Sequence, residues 1–296
     1  MACLLESFYL YEHTGLQSVL KRIFRSKGIV AMSVSPTASE PSTAQATTPE
    51  LKIHGSIATI RLRNPAYANR LSPADLDVIR THIATVNANQ QVLVLKFVAD
   101  GKYFCSGYDI SSLAAEAAPS SLYFGDTVDI VELARPVTIA AINGGVYGGG
   151  TDLSLACDFR IGVPDANMFM PAAKLGLHFY PGGMVRYVSR LGLNQAKRLF
   201  LTCEKILAPE MLSIGFLNEI VSAETLYTRV DELSAQLASM APLALVGIKK
   251  HLNLIARGQL DDAAIRAAVL HSEQSQDMKE GALAWKEKRA ANFTGN

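Results

Sequence analysis

The stretch Ala141-Ile142-Asn143-Gly144-Gly145-Val146-Tyr147-Gly148-Gly149-Gly150-Thr151-Asp152-Leu153 decides how the chain is read. An apolar run, Val137 to Ile142, enters it with the character of a strand, and a helix is expected to leave it from about Gly150 to Cys157. Three successive glycines let a ligand approach the main chain closely. The N-terminus of the following helix adds partial positive charge at the same place. The turn is neither a G-x-G-x-x-G dinucleotide fingerprint nor a phosphate-binding loop ending in G-K-[ST]. In isolation, such a turn serves equally well for tight packing of a helix on a strand.

A second loop of the same kind lies upstream: Gly101-Lys102-Tyr103-Phe104-Cys105-Ser106-Gly107-Tyr108-Asp109-Ile110. It follows Val92 to Val98, a short apolar run of the kind buried on both faces of a parallel sheet, and a helix-like polar stretch follows Asp109. Gly107 permits a backbone conformation that other residues resist, and the turn can point the N–H of Tyr108 into a cleft. Two N–H donors from two strand-to-helix turns can bracket one oxygen and form an oxyanion hole. A thioester needs such a hole, because losing an α-proton or gaining a nucleophile places negative charge on its carbonyl oxygen.

Working outward, Leu51, Ile53, Ile57, Ile60 and Leu62 read as one strand, or as two joined at Gly55. Ser72 and Pro73 open a helix as cap and first residue, with Leu76, Ile79, Ile83 and Val86 as its apolar stripe. A further strand covers about Phe159 to Val163. Strands alternating with helices imply an α/β core with largely parallel pairing. From about Thr225 the pattern becomes helical to the end. The expected organisation is therefore an N-terminal extension and flexible linker over residues 1–49, an α/β core over 50–224, and a helical region over 225–296. The Ser-, Thr-, Ala- and Pro-rich segment Ser33 to Pro49 carries no apolar periodicity. Lys21, Arg22, Arg25 and Lys27 sit among apolar residues as in a targeting presequence, but Glu6 and Glu12 count against one.

The 296 residues are 49% hydrophobic and 19% charged, with a formal net charge of +1. Those values suit a globular protein, and no global basic field argues for a nucleic-acid partner. No apolar run reaches the roughly 18 residues of a membrane span. The four cysteines, Cys3, Cys105, Cys157 and Cys203, are scattered without a CxxC pair. Neither a zinc site nor a disulfide framework is expected, and a reducing, cytoplasmic compartment fits.

Taken together, the two loops resemble the crotonase, or enoyl-CoA hydratase/isomerase, superfamily. Its first loop, F-x-x-G-x-D-[IL], is matched by Phe104 to Ile110, and its second, A-x-x-G-x-x-x-G-G-G-x-[ED]-L, by Ala141 to Leu153. Ala156-Cys157-Asp158, Pro181-Gly182-Gly183, Arg190-Leu191-Gly192 and the tail Phe293-Thr294-Gly295 extend the likeness over about Leu51 to Gly295. The resemblance implies a spiral ββα core with a C-terminal helical trimerisation region, and a homotrimer or dimer of trimers. It makes the backbone N–H groups of Tyr108 and Gly149 the oxyanion donors. It implies CoA binding along Ala66, Ala68, Asp109 and Ile110, with Lys286 near the adenine or phosphates. It implies no cofactor and no metal beyond the CoA of an acyl-CoA substrate.

One departure bears on the chemistry. Hydratases of this family place two glutamates around a water, and the corresponding positions here are Asp152 and Ala172. Asp152 is one methylene shorter, and Ala172 can neither donate nor accept a proton. His178 and Tyr180 follow closely and can serve as acid, base or orienting group; each can equally be a wall or packing residue. Tyr147 can line the cleft or pack on a strand. Asp109 as a helix cap, Asp158 as a structural group, and Tyr123, Asp126 and Asp129 as a solvated helix face are the plainer readings of those residues. Three functions stand in competition: a hydratase or isomerase variant with Asp152 as the sole carboxylate; a decarboxylase or thioester or C–C hydrolase on the same scaffold; and a non-catalytic acyl-CoA-binding component.

Overall fold

The described residues build two sheets whose strands come in pairs. The larger has six strands in the order β1 (Glu50–His54), β2 (Ile57–Leu62), β3 (Val94–Ala99), β5 (Val137–Ile142), β7 (Phe159–Gly162) and β10 (Glu219–Ile220). The smaller has four: β4 (Tyr103–Cys105), β6 (Gly145–Tyr147), β8 (Asn167–Phe169) and β9 (Ile206–Leu207). Among the described residues, only β1–β2 and β8–β9 pair antiparallel; the other pairs are parallel. Successive pairs β3–β4, β5–β6 and β7–β8 each send their first strand to the large sheet and their second to the small one, so the chain winds as a spiral of ββ turns. This computed structural model describes residues 47–110 and 120–296. The expected presequence, most of the linker and residues 111–119 of the stretch after Asp109 lie outside the described residues.

The helices are α1 (Pro73–Ala88), α2 (Ser121–Glu132), α3 (Gly149–Ala156), α4 (Pro181–Leu191), α5 (Leu193–Thr202), α6 (Ala208–Ser213), α7 (Leu226–Ala238), α8 (Pro242–Ala256), α9 (Asp262–Glu273) and α10 (Gln276–Glu287). α1 starts with a reciprocal capping box: the Asp75 N–H donates to Ser72 Oγ at 3.2 Å, and the Ser72 N–H to Asp75 Oδ2 at 2.9 Å. Its buried face is Leu76, Ile79, Ile83 and Val86, at helical spacing. All six residues of β5 are buried, as a central parallel strand requires.

The helical C-terminal region is tied to the core by α8. Lys249 is buried, with its Nζ 2.8 Å from Asp158 Oδ2 and donating to the Pro136 carbonyl. Asp158 in turn accepts from the Thr138 N–H at 2.7 Å. Burial pulls the Lys249 ammonium below its ordinary pKa, and the Asp158 charge opposes that. All described residues belong to one compact unit, Ala46–Asn296.

Candidate active site

β4 and β6 are adjacent and parallel, so the loops that leave their C-terminal ends emerge side by side. The first loop is pinned from the other flank by Leu71. The Leu71 N–H donates to the Gly107 carbonyl at 2.8 Å, and the Asp109 N–H donates to the Leu71 carbonyl at 2.9 Å. This parallel bridge uses the residues on either side of Tyr108. It therefore turns the Tyr108 N–H away from Leu71, toward the side on which the second loop lies. The segment carrying Leu71 is held by a residue that sequence reasoning missed. Buried Asn69 donates through Nδ2 to the carbonyls of Asp100 (2.9 Å) and Tyr103 (2.8 Å), while its Oδ1 accepts from the Asn64 N–H (2.8 Å). A short polar side chain on the second of two consecutive left-handed residues, Ala68 and Asn69, is a signal only once the turn is known.

Gly107 has φ +91°. A Cβ there would lie 2.5 Å from Gly149 N and 3.0 Å from the Tyr147 carbonyl oxygen, so the two loops touch main chain to main chain. Gly148 precedes α3 at φ 52°, ψ −127°, a conformation that glycine alone adopts readily. Gly149 then begins the helix, and a first-turn N–H has no intrahelical acceptor. A Cβ on Gly149 would meet the Phe124 ring at 2.6 Å. Gly107 and Gly149 thus meet at the head of a pocket of about 750 Å³, solvent at its mouth included. Tyr108, Ile110, Phe124, Ala172, His178 and Tyr180 are among the residues that line it, and its surface is mostly apolar.

Asp152 lies in the first turn of α3 and is fully buried beneath this pocket. Arg186 of α4 grips it with two bonds, Nε to Oδ1 at 2.8 Å and Nη2 to Oδ2 at 2.6 Å. The Tyr180 hydroxyl donates to Oδ2 at 2.7 Å. Arg186 also reaches Asp129 (2.5 Å) and Glu132 (3.1 Å), Arg257 pairs with the same two acids at 2.8 and 3.3 Å, and Arg190 pairs with Glu132 at 3.1 Å. Three guanidiniums thus face three carboxylates, which makes the burial of so much charge tolerable. Burial alone would lower the Arg186 pKa, but Asp152, Glu132 and Asp129 raise it instead. The Asp129 side chain, read from sequence as part of a solvated face, belongs to this network.

Tyr180 connects the network to the pocket wall. Burial, the Asp152 charge and the hydrogen bond to it hold the phenol well above its ordinary pKa, so it keeps its proton at neutral pH. Its ring stacks on Phe179 at 4.1 Å between centroids. His178 is exposed, and its Nδ1 lies 2.8 Å from the Phe179 carbonyl oxygen. A carbonyl only accepts, so Nδ1 carries a hydrogen and Nε2 is the acceptor in the neutral ring. Ala172 is buried in the pocket wall and contributes a methyl group there.

Of the other expected binding residues, Ala68 accepts from the Ser106 N–H at 3.0 Å, which places the 65–68 turn against the first loop. Ala66 is exposed on that turn, and Asp109 lies 3.4 Å from Arg70 Nε. Lys286 is exposed in the last turn of α10 and does not line the pocket. Tyr147 donates to Asn167 Oδ1 at 2.9 Å and packs on Phe169. Among the described residues, no group of three or more His, Cys, Asp or Glu side chains could hold a metal ion, and no helix is long and apolar enough to cross a membrane.

The family model described as enoyl-CoA hydratase/isomerase matches residues 52–296. Carnitinyl-CoA dehydratase of Proteus mirabilis is 33% identical over 207 residues, covering 67% of this chain and 79% of the relative. Crotonyl-CoA hydratase of Syntrophomonas wolfei is 31% identical over 248 residues, covering 80% and 94%. Among solved structures, an enoyl-CoA hydratase from Bacillus anthracis superposes with a TM-score of 0.72 at 28% identity, covering 84% of this chain and all of that one.

Proposed function

We propose that this chain, which belongs to the enoyl-CoA hydratase/isomerase family, processes an acyl-CoA thioester by stabilising its enolate between the N–H groups of Tyr108 and Gly149. The observation that carries this reading is the main-chain contact of Gly107 with Gly149 at the head of an apolar pocket. Two amides aimed at a developing oxyanion in a mostly apolar pocket supply most of what enolate formation needs.

Proton transfer in this proposal belongs to the two groups that line the pocket below the amides. His178 Nε2 accepts the α- or γ-proton of the thioester. The Tyr180 hydroxyl, kept protonated by its surroundings, gives a proton to carbon, and the phenolate left behind is reprotonated by the imidazolium of His178, so that both groups end the cycle as they began it. Asp152 touches no substrate; it orients Tyr180 and is itself oriented by Arg186, and so is a positioning residue. With Ala172 where a second carboxylate would hold a water, double-bond migration suits the site better than water addition. Ala66, Ala68, Asp109 and Ile110 flank the CoA path, and Lys286 meets its phosphates. A homotrimer, or a dimer of trimers, covers the apolar faces that α8 to α10 leave exposed, Ile248, Leu252, Leu270 and Trp285 among them.

A second reading, decarboxylation, is favoured by one observation: Asp152 is committed to Arg186 and Tyr180, and Ala172 carries no charge. Loss of CO₂ leaves an enolate without any base and asks only for the oxyanion hole and a proton donor such as Tyr180. Incubation with an enoyl-CoA, a 3-hydroxyacyl-CoA and a malonyl-type CoA in D₂O, followed by mass spectrometry, separates the two. Double-bond migration with deuterium uptake, or exchange of water, supports the first; CO₂ loss with the enoyl compounds untouched supports the second. CoA binding with no reaction on any of them would defeat both.

A further inference from the structure

We propose that the cavity between β7, the end of α4 and α8 binds a small oxyanion, a phosphate or a carboxylate group, on the guanidinium of Arg160. This cavity shares no lining residue with the thioester pocket, and the inference does not depend on how that pocket is read. It measures about 1060 Å³, solvent at its mouth included, and its polar wall is Asp158, Arg160, Arg190, Asn218, Lys249 and Asn253.

A count of charges singles out Arg160. Behind the wall, Arg186, Arg190 and Arg257 are matched by Asp129, Glu132 and Asp152, and Lys249 is matched by Asp158. Arg160 is only 4% exposed, and among the described residues it pairs with no carboxylate. Its Nε donates to the Phe216 carbonyl at 2.5 Å and its Nη1 to the Cys157 carbonyl at 2.6 Å, whereas Nη2 has no partner among the described residues. Arg190 Nη1 donates to the same Cys157 carbonyl at 2.7 Å, so two guanidiniums converge on one oxygen. The C-terminus of α3, where that carbonyl lies, offers only about half an elementary charge against them. Burial, and after it Arg190, draws the Arg160 pKa down to about 10, so the group stays charged at neutral pH. Asp158 opposes that shift, but its Oδ2 is already engaged by Lys249 and the Thr138 N–H. A buried cation without a counter-charge is costly, and here it faces a cavity. Phosphate and carboxylate are the anions that a guanidinium fork matches. Asn218 adds a donor: its Oδ1 accepts from the Arg160 N–H at 2.8 Å, which leaves Nδ2 for the cavity.

The test is calorimetric titration of sodium phosphate and of sodium acetate into the full chain, against sodium chloride at matched ionic strength, repeated on Arg160→Gln and Asn218→Asp. Asn218→Asp keeps the acceptor for the Arg160 N–H and sets a carboxylate in the cavity, so it does not depend on removing a buried side chain. The expected result is saturable binding of one oxyanion per chain, weakened about tenfold or more in either variant. Asn218→Asp is also expected to melt at a higher temperature than the wild type in the absence of oxyanion, because its carboxylate takes the place of the ion. Tighter binding of phosphate than of acetate assigns the site to a phosphate group, and the reverse order to a carboxylate. Heats no different from those of chloride, or an Asn218→Asp variant that binds phosphate as tightly as the wild type, overturn the proposal. A melting temperature that rises with protein concentration and ignores both oxyanions assigns Arg160 to a carboxylate of a second copy of the chain, and overturns it as well.

Discussion

Gly107→Ala tests the oxyanion hole through a single methyl group. In the native loop a Cβ at this position would stand 2.5 Å from Gly149 N, 3.1 Å from Gly149 Cα and 3.0 Å from the Tyr147 carbonyl oxygen. All three neighbours are main chain and cannot rotate aside. To reach an ordinary contact the two loops must separate by roughly 1 Å, a displacement that can cost about 100-fold when it falls on groups aligned for reaction. Loss of one donor to the oxyanion costs about 100- to 1,000-fold in kcat. The φ of +91° adds a strain of about 1–3 kcal/mol in the folded state. The expected result is therefore a kcat lower by about 100-fold or more with KM changed far less, and a fold weakened by a few kcal/mol but intact. Steady-state kinetics on the reacting thioester, beside a urea titration of the same preparation, reads both. A well-folded variant that keeps kcat within about threefold of the wild type would refute the placement of the Gly149 amide at the reacting oxygen.

Tyr180→Phe removes the proposed donor and is expected to lower kcat by about 100- to 10,000-fold while deuterium uptake in D₂O persists, since exchange needs only the base. Ala172→Glu supplies a carboxylate to the pocket and is expected to raise water addition to an enoyl-CoA by about 100-fold, followed as loss of the conjugated thioester absorbance; an unchanged rate would show that the pocket cannot hold the water. Arg186→Met leaves the buried acids Asp152 and Glu132 short of a cation and is expected to cost about 3–5 kcal/mol in urea titrations, and a loss near zero would remove the network from the account of stability. Burial pushes the Cys105 and Cys157 thiols from 9.0 up to about 12. The unfolded chain therefore gives up these protons at lower pH than the folded one. The stability they contribute is full below about pH 9 and is lost toward about pH 12, so the urea midpoint is expected to fall across that window and to fall less in Cys105→Ala.

The elements that position the site were readable where one local cause fixes them. Ser72, Pro73 and the Leu76, Ile79, Ile83, Val86 stripe mark α1, and the apolar run Val137–Ile142 is β5 to the residue. The second sheet was not legible, because β4, β6 and β8 have three residues each and no period emerges from so few. That sheet sets the two glycine loops side by side, so the loops could be matched from sequence while the reason for their contact could not. Asp152 was equally legible as a position and illegible as an environment. Arg186 sits 34 residues away on another helix, and nothing in the spacing of a lone arginine announces a bidentate partner. Ala172 was visible as a missing carboxylate; that it lines two cavities together with Leu177, His178 and Phe179 needed the tertiary fold.

The cationic half of the buried charge network has a consequence for how the chain is made. Asp129 and Glu132 of α2 are synthesised well before Arg186, and Arg257 arrives only at the end of α8. Until that last arginine is made, the carboxylates of α2 have only Arg186 and Arg190 for counter-charge. Without Arg257, Asp129 and Glu132 keep Arg186, and Glu132 keeps Arg190 as well, so the last cation completes the network rather than founding it. Completion of the charge network beside Asp152 thus waits for the end of a helix that contributes no residue to the pocket walls.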